Sequence, residues 1–270
     1  MPKPRKKRKT KAKTIGVLIE TLQNHEPDIV DLIISLVVKE IEGVNKTDSE
    51  YEENKLNILT IPEGTTKIKE GAFEDCIRLS DIHFPISLEV IGEMAFASCK
   101  SLTKINIPPS VNDIEPWVFA DCIRLSEINF HSSVSTIGEG AFSGCVKLSK
   151  INFPASLTYI DYQAFIHCRD LTEVHFPRDS ALIGIWGDAF YECTNLTELH
   201  FPASLTTIAL YAFYGCSNLS KIYFHRDIDL LDIDRGAFEK CSRLTDVYCT
   251  QKLWDEFQSH FTSATFHNVM

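Results

Sequence analysis

The sequence predicts an α/β repeat solenoid with a parallel sheet of about nine strands, and three observations predict it. Eight of the nine cysteines, Cys76, Cys99, Cys122, Cys145, Cys168, Cys193, Cys216 and Cys241, follow one another at gaps of 23, 23, 23, 23, 25, 23 and 25 residues. Each stands three residues after the phenylalanine of an Ala-Phe or Val-Phe pair. In the register those cysteines set, apolar residues alternate with polar ones, the period-2 mark of a strand with one buried face. Self-similarity at this period marks units that cannot bury their own faces and must stack on neighbours.

The chain opens on a basic tract. Residues 1–13 hold eight Lys and Arg and no acid. All charge and no core, they form a disordered tail. Such a tract reads as a nuclear-import signal, as a tether to nucleic acid or anionic lipid, or as a plain solubilising tail. Residues 14–54 read as a helical cap and linker. Thr14 opens a first helix and Pro27-Asp28 a second, which runs to Glu42 before Gly43. In the second, Ile29, Leu32, Ile33, Leu36, Val37 and Ile41 line one face. That face suits a cap on the first open repeat, or a partner helix.

The solenoid spans residues 55–250. Leu79, Leu102, Leu125, Leu148, Leu171, Leu196, Leu219 and Leu244 open its units. Ile82, Ile105, Ile128, Ile151, Val174, Leu199, Ile222 and Val247 then point inward from a strand, as do Phe84, Ile107, Phe130, Phe153, Phe176, Phe201, Phe224 and Cys249 two residues on. Prolines such as Pro85, Pro108 and Pro154 end the strands because they cannot donate to a ladder. An earlier copy, Leu56 to Pro62, makes nine strands. Ile68, Ile91, Ile114, Ile137, Ile160, Ile185, Ile208 and Ile233 belong to the opposite wall, where short helical or 3₁₀ turns are expected. Two units carry two extra residues each, near Arg178-Asp179-Ser180 and Arg226-Asp227-Ile228, which are expected to make local bulges and leave the fold intact. Residues 251–270 read as a C-terminal cap, with Leu253, Trp254, Phe257 and Phe261 at helical spacing; the pattern does not place Thr262 to Met270.

These residues resemble the BspA-like, Treponema-type class of leucine-rich repeat, over roughly residues 56 to 250. The Ala-Phe-x-x-Cys box recurs eight times, with Val118 the one departure at its alanine and His131 and His225 in place of the strand-ending proline. The resemblance implies a leucine-rich-repeat arc with the strands on its concave side. It also implies a role in binding other proteins, including adhesion among secreted members.

Charge and cysteine usage narrow the function further. The formal net charge is −10. Outside residues 1–13, 19 cations face 37 acids, a formal −18, which argues against nucleic-acid binding by the solenoid itself. The longest apolar stretch, Ile29 to Val38, is too short to span a bilayer. Glu20 interrupts the run after the basic start, so no secretory leader is read. The expected location is cytoplasmic, or nuclear in a eukaryote, with secretion only through a signal not seen. The cysteines read as buried, reduced, small apolar residues. Phosphate-loop, nucleophile-elbow and zinc-protease motifs do not occur, so neither an enzyme nor a cofactor or catalytic metal is expected.

Function therefore falls to the outward strand positions. One column reads Asp81, Lys104, Glu127, Lys150, Glu173, Glu198, Lys221, Asp246, a charge ladder along the sheet. The next reads His83, Asn106, Asn129, Asn152, His175, His200, Tyr223, Tyr248. Asn and Tyr make adaptable contacts at low entropic cost. A partner protein bound on this concave face is the expected function. A surface adhesin and a nucleic-acid-associated factor tethered by residues 1–13 are the alternatives. Beside these columns Ser80, Thr103, Ser126, Ser149, Thr172, Thr197, Ser220 and Thr245 form a hydroxyl column expected to bond to backbone. Glu173, His175, Glu198 and His200 gather where the charge alternation fails, a conceivable zinc or pH-sensitive patch, although side chains projecting in parallel from a sheet rarely converge on one ion.

Overall fold

The computed structural model describes residues 58–261 and 264–269. The expected basic tract and the helical cap and linker lie outside them. The described chain is a parallel-strand solenoid. Its long strands are Ile58–Thr60, Asp81–His83, Lys104–Asn106, Glu127–Asn129, Lys150–Asn152, Glu173–His175, Glu198–Phe201, Lys221–Phe224, Asp246–Cys249 and Thr265–Asn268. Each pairs in parallel with a neighbour one turn away, in the register Ile58↔Asp81, Lys104↔Glu127, Lys150↔Glu173 and Lys221↔Asp246. The expected nine strands are all present, and Thr265–Asn268 adds a tenth.

The alternation is as read from the sequence. Ile105, Ile151, Leu199, Ile222 and Val247 are buried at the strand centres, and Ile107, Phe153, Phe201 and Phe224 are buried two residues on. A second parallel ladder, of two-residue strands, carries the opposite isoleucines. Six of these strands, from Asp113–Ile114 to Asp232–Ile233, make one sheet. It crosses both two-residue insertions unbroken, so the extra residues are accommodated without disturbing the wall.

The short helical turns expected on that wall are not there; the repeats fold into successive turns instead. The cause is backbone handedness. The residue before each Ala-Phe pair and the residue before each cysteine have positive φ, as at Met94 (55°) and Ser98 (58°), Trp117 (56°) and Asp121 (55°), and Gly140 (58°) and Gly144 (68°). A right-handed helix cannot run through a left-handed residue every four positions. Backbone bonds between turns compensate: Phe96 N–H donates to Val118 O (2.9 Å), and Phe119 N–H to Ala141 O (2.9 Å).

Inside, the box phenylalanines Phe73, Phe96, Phe119, Phe142, Phe165, Phe190, Phe213 and Phe238 form one continuous stack. Neighbouring centroids lie 5.1 to 5.7 Å apart. Strand phenylalanines meet it edge-on, Phe130 against Phe142 and Phe153 against Phe165. Each fully buried side chain of this size is worth about 1.5–3 kcal/mol, and every added turn repeats the gain.

The cysteines have a structural task that spacing alone did not reveal. Each thiol from Cys99 to Cys241 donates to the carbonyl of the box phenylalanine one turn earlier: Cys99 to Phe73 O, Cys145 to Phe119 O and Cys216 to Phe190 O, each at 3.3 Å. No disulfide joins any of the nine cysteines. The hydroxyl column does the same on the strand side. Ser126, Thr172, Thr197, Ser220 and Thr245 donate to the backbone carbonyl of the equivalent residue one turn back.

At the C-terminal end, Gln251–Phe257 forms a short helix, capped by Thr250 Oγ1, which accepts from Leu253 N–H. It is shorter than the helical spacing through Phe261 suggested. Phe261 leaves the helix and sets its ring 5.4 Å from Phe238, extending the aromatic stack by one member.

Glycine is required where an aromatic ring from the previous turn leaves no room. A Cβ at Gly140 would overlap the Trp117 ring, and its φ is +58°. Gly140→Ala is therefore expected to destabilise the fold by more than the roughly 1–2 kcal/mol of the left-handed backbone alone. Urea denaturation checks this, and Gly144→Ala, set against a flexible Asp121 side chain, should cost less.

Candidate partner-binding face

All sixteen residues expected to contact a partner lie on the solvent side of the long strands, exposed or half-buried. The sheet register lines them up one turn apart, because strand residues alternate sides and their neighbours at the core anchor them. The structure divides this face into two chemically different halves.

In the first half the charge column resolves into separate pairs, where the sequence suggested a continuous ladder. Lys104 Nζ lies 2.6 Å from Glu127 Oε1, and Lys150 Nζ lies 2.7 Å from Glu173 Oε2. A lysine that closes a short contact with one neighbour has turned away from the other, so alternation in sequence yields dyads. Asn129 Nδ2 donates both to Asn106 Oδ1 (2.8 Å) and to Glu127 Oε1 (3.0 Å). Lys104 and Asn129 together hold the Glu127 carboxyl below its usual range. These pairs are exposed and screened by solvent, so they fix side-chain positions more than stability. Asp81 pairs with His83 at 3.2 Å.

The second half is aromatic. His200, Tyr223, Tyr248 and His267 form a four-ring stack along the exposed sheet. Successive centroids are 4.3, 4.4 and 4.4 Å apart, and the rings lie within 14° of parallel. His267 sits on the tenth strand opposite Tyr248. Its Nε2 lies 2.6 Å from Asp246 Oδ1. Thr245 and His267 hold the Asp246 carboxyl below its usual range, and burial pushes the Tyr223 hydroxyl up.

Sequence reasoning missed His267. The step from Asp246 to Thr265 is 19 residues, shorter than the 23 or 25 of the repeats, and no Ala-Phe-x-x-Cys box precedes it. The signal was nonetheless present, since Thr265-Phe266-His267-Asn268 alternates like the strands before it.

Glu173, His175, Glu198 and His200 are not brought into one cluster. Among the described residues no group of three or more His, Cys, Asp or Glu is placed to hold a metal ion. Glu173 is engaged by Lys150, while His200 stacks on Tyr223 and lies 3.5 Å from Glu198. Among the same residues no helix is long and apolar enough to cross a membrane.

The profile described as "BspA type Leucine rich repeat region" matches in six copies over residues 47–172 and 158–269. No curated protein matches the chain in sequence. Solved structures similar to it include a T. pallidum leucine-rich repeat protein, at 24% identity over 79% of this chain and 87% of that one, with a TM-score of 0.49. A leucine-rich repeat protein of Bacteroides ovatus is 22% identical over 79% and 84% of the two chains, with a TM-score of 0.38. A protein of Faecalibacterium prausnitzii, described as a leucine rich cell surface protein, is 17% identical over 74% and 89%, with a TM-score of 0.34.

Proposed function

The chain belongs to the BspA-type leucine-rich repeat family, and on that basis we propose that it is a non-enzymatic module that binds another protein through the face of its long strands. The observation that carries this reading is the stack His200–Tyr223–Tyr248–His267 on the solvent side of the sheet, His200 exposed and the other three rings half-buried. Rings held parallel on a rigid sheet present edges and hydroxyls at little entropic cost, the property that makes Tyr a frequent anchor of protein interfaces. The Asn106–Asn129–Glu127–Lys104 network supplies a polar flank with its side chains already oriented. A reducing, cytoplasmic location belongs to the same proposal and is supported by the buried column from Cys99 to Cys241, whose thiols donate to backbone carbonyls.

The test is affinity capture on the intact chain, followed by titration with the purified partner. Tyr223→Ala and Tyr248→Ala are each expected to weaken binding about tenfold, close to 1.4 kcal/mol. The triple change of Asn129, Asn152 and His175 to alanine should weaken it further. Unchanged affinity in all three proteins, with melting temperatures intact, would remove the long-strand face from consideration.

A further inference from the structure

The wall opposite the long strands carries an arrangement that the proposed function does not use. Tyr159 and Gly184 are paired in the short ladder, as are Ile160 and Ile185. One residue on in the same register, Asp161 stands beside Trp186. Asp161 is thus bounded by Tyr159 two residues before it, Tyr162 one after it and Trp186 across the turn. The rings are nearly parallel: Tyr159 and Trp186 are 22° apart with centroids at 6.4 Å, and Tyr162 and Trp186 are 17° apart at 6.2 Å. Tyr162 is 52% exposed and Tyr159 37%, far more than the buried rings of the core.

Glycine fixes these rings in place. A Cβ on Gly184 would lie 3.4 Å from the Tyr159 ring, and one on Gly187 would lie 3.0 Å from the Tyr162 ring. Each tyrosine therefore rests on the bare backbone of the next turn, with Trp186 between the two glycines. The backbone N–H of Tyr162 donates to Asp161 Oδ1 at 2.7 Å, which orients the carboxylate. No other repeat has aromatic residues at these positions.

The charge around the arrangement is one-sided. Segments 132–143, 155–166, 180–191 and 203–214 make up this wall over four turns, and they contain no Lys or Arg. Their acids are Glu139, Asp161 and Asp188. No ion pair joins Asp161 to a cation among the described residues. A carboxylate set among aromatic rings, on four successive turns without a Lys or Arg before Arg235 on the next, is complementary to a cation that can also stack. A planar guanidinium meets both demands, through a charge-assisted bond to the carboxylate and through the ring faces.

We propose that Tyr159, Asp161, Tyr162 and Trp186 form a seat for an arginine side chain on a basic segment of a partner protein. This site is separate from the long-strand face and does not depend on it.

The test uses the full chain and a fluorescein-labelled peptide in which four arginines are spaced by Gly-Ser, with binding read by anisotropy. Saturable binding is expected, weakening as salt is raised. Trp186→Leu leaves the net charge unchanged and should reduce affinity at least fivefold, as should Asp161→Asn. Tyr162→Leu, at the most exposed ring, provides a second charge-neutral variant should Trp186→Leu fail to fold. Tyr223→Ala, on the other face, should bind the peptide as the parent does, so this proposal and the preceding one fail separately. Parent-like affinity in folded Trp186→Leu and Tyr162→Leu would reduce the effect to bulk negative charge and overturn the proposal. So would saturable binding of maltohexaose lost in Trp186→Leu without arginine-peptide binding. Peptide binding that emerges only when the eight Lys and Arg of residues 1–13 are changed to glutamine would also overturn it, by showing that this chain's own tract fills the seat.

Discussion

Raising the pH above 9 is expected to unfold the solenoid over a narrow range. Burial pushes the Cys122 and Cys168 thiols up to about 12, and it raises Cys99, Cys145, Cys193 and Cys216 as well. An exposed thiol in the unfolded chain ionises near 9.0, the ordinary value. Between these limits the folded chain keeps protons that the unfolded chain has released. A folded pKa raised above the unfolded one gives stability that is complete below 9 and is lost as the pH climbs toward the folded value. Each thiol contributes a slope of about 1.4 kcal/mol per pH unit, so six of them give roughly 8 kcal/mol per unit. A domain with a stability of about 5–15 kcal/mol is exhausted within about one to two units. Urea denaturation at a series of pH values measures the slope, and replacing Cys122 and Cys168 by alanine should reduce it by about a third. Thiolate absorbance from more than three of the nine cysteines in the still-folded protein at pH 9 to 10 would contradict the account.

Phe142→Ala is expected to cost about 3–5 kcal/mol and to divide the unfolding transition in two. Phe142 is fully buried, stacks on Phe119 and Phe165 at 5.6 and 5.3 Å, and receives the edge of Phe130. Stability in an array is the sum of repeat terms and neighbour interfaces. Removing a ring from the middle weakens two interfaces at once and uncouples the flanking halves. Trp117 reports on one half, and Trp186 and Trp254 on the other. Their fluorescence should separate in a urea titration of the variant and coincide in the parent. Phe73→Ala, at the first described turn, loses a single stacking partner among the described residues and should shift the transition without splitting it. A single transition displaced by less than about 1.5 kcal/mol in Phe142→Ala would refute the coupling.

Much of the candidate face was legible because a strand has a fixed period of two. Once the cysteines set the register, every outward residue from Asp81 to Tyr248 could be assigned to its column, and the structure puts each there. Its internal pairing was not legible. Alternating signs allow Lys104 to pair with either Asp81 or Glu127, and only side-chain geometry selects Glu127. His267 was hidden because the tenth strand follows the C-terminal helix, where the spacing no longer obeys the repeat. The seat at Asp161 was hidden for another reason: Tyr159, Tyr162 and Trp186 lie on a wall whose backbone was expected to be short helical turns, a pattern that would have scattered them.

The sequence by itself determined the solenoid, the parallel strands, the inward columns and the family, since all of these follow from one period repeated eight times. Tertiary structure alone decided what the cysteines do. A buried column at constant spacing is compatible with any small apolar residue. Only the stacking of turns puts each thiol from Cys99 to Cys241 3.2 to 3.3 Å from a phenylalanine carbonyl one turn away. It also decided which outer aromatic rings meet. A ring's neighbour in a solenoid lies 23 or 25 residues off in sequence, and the left-handed positions that aim it are occupied here by glycine, tryptophan, serine and aspartate alike.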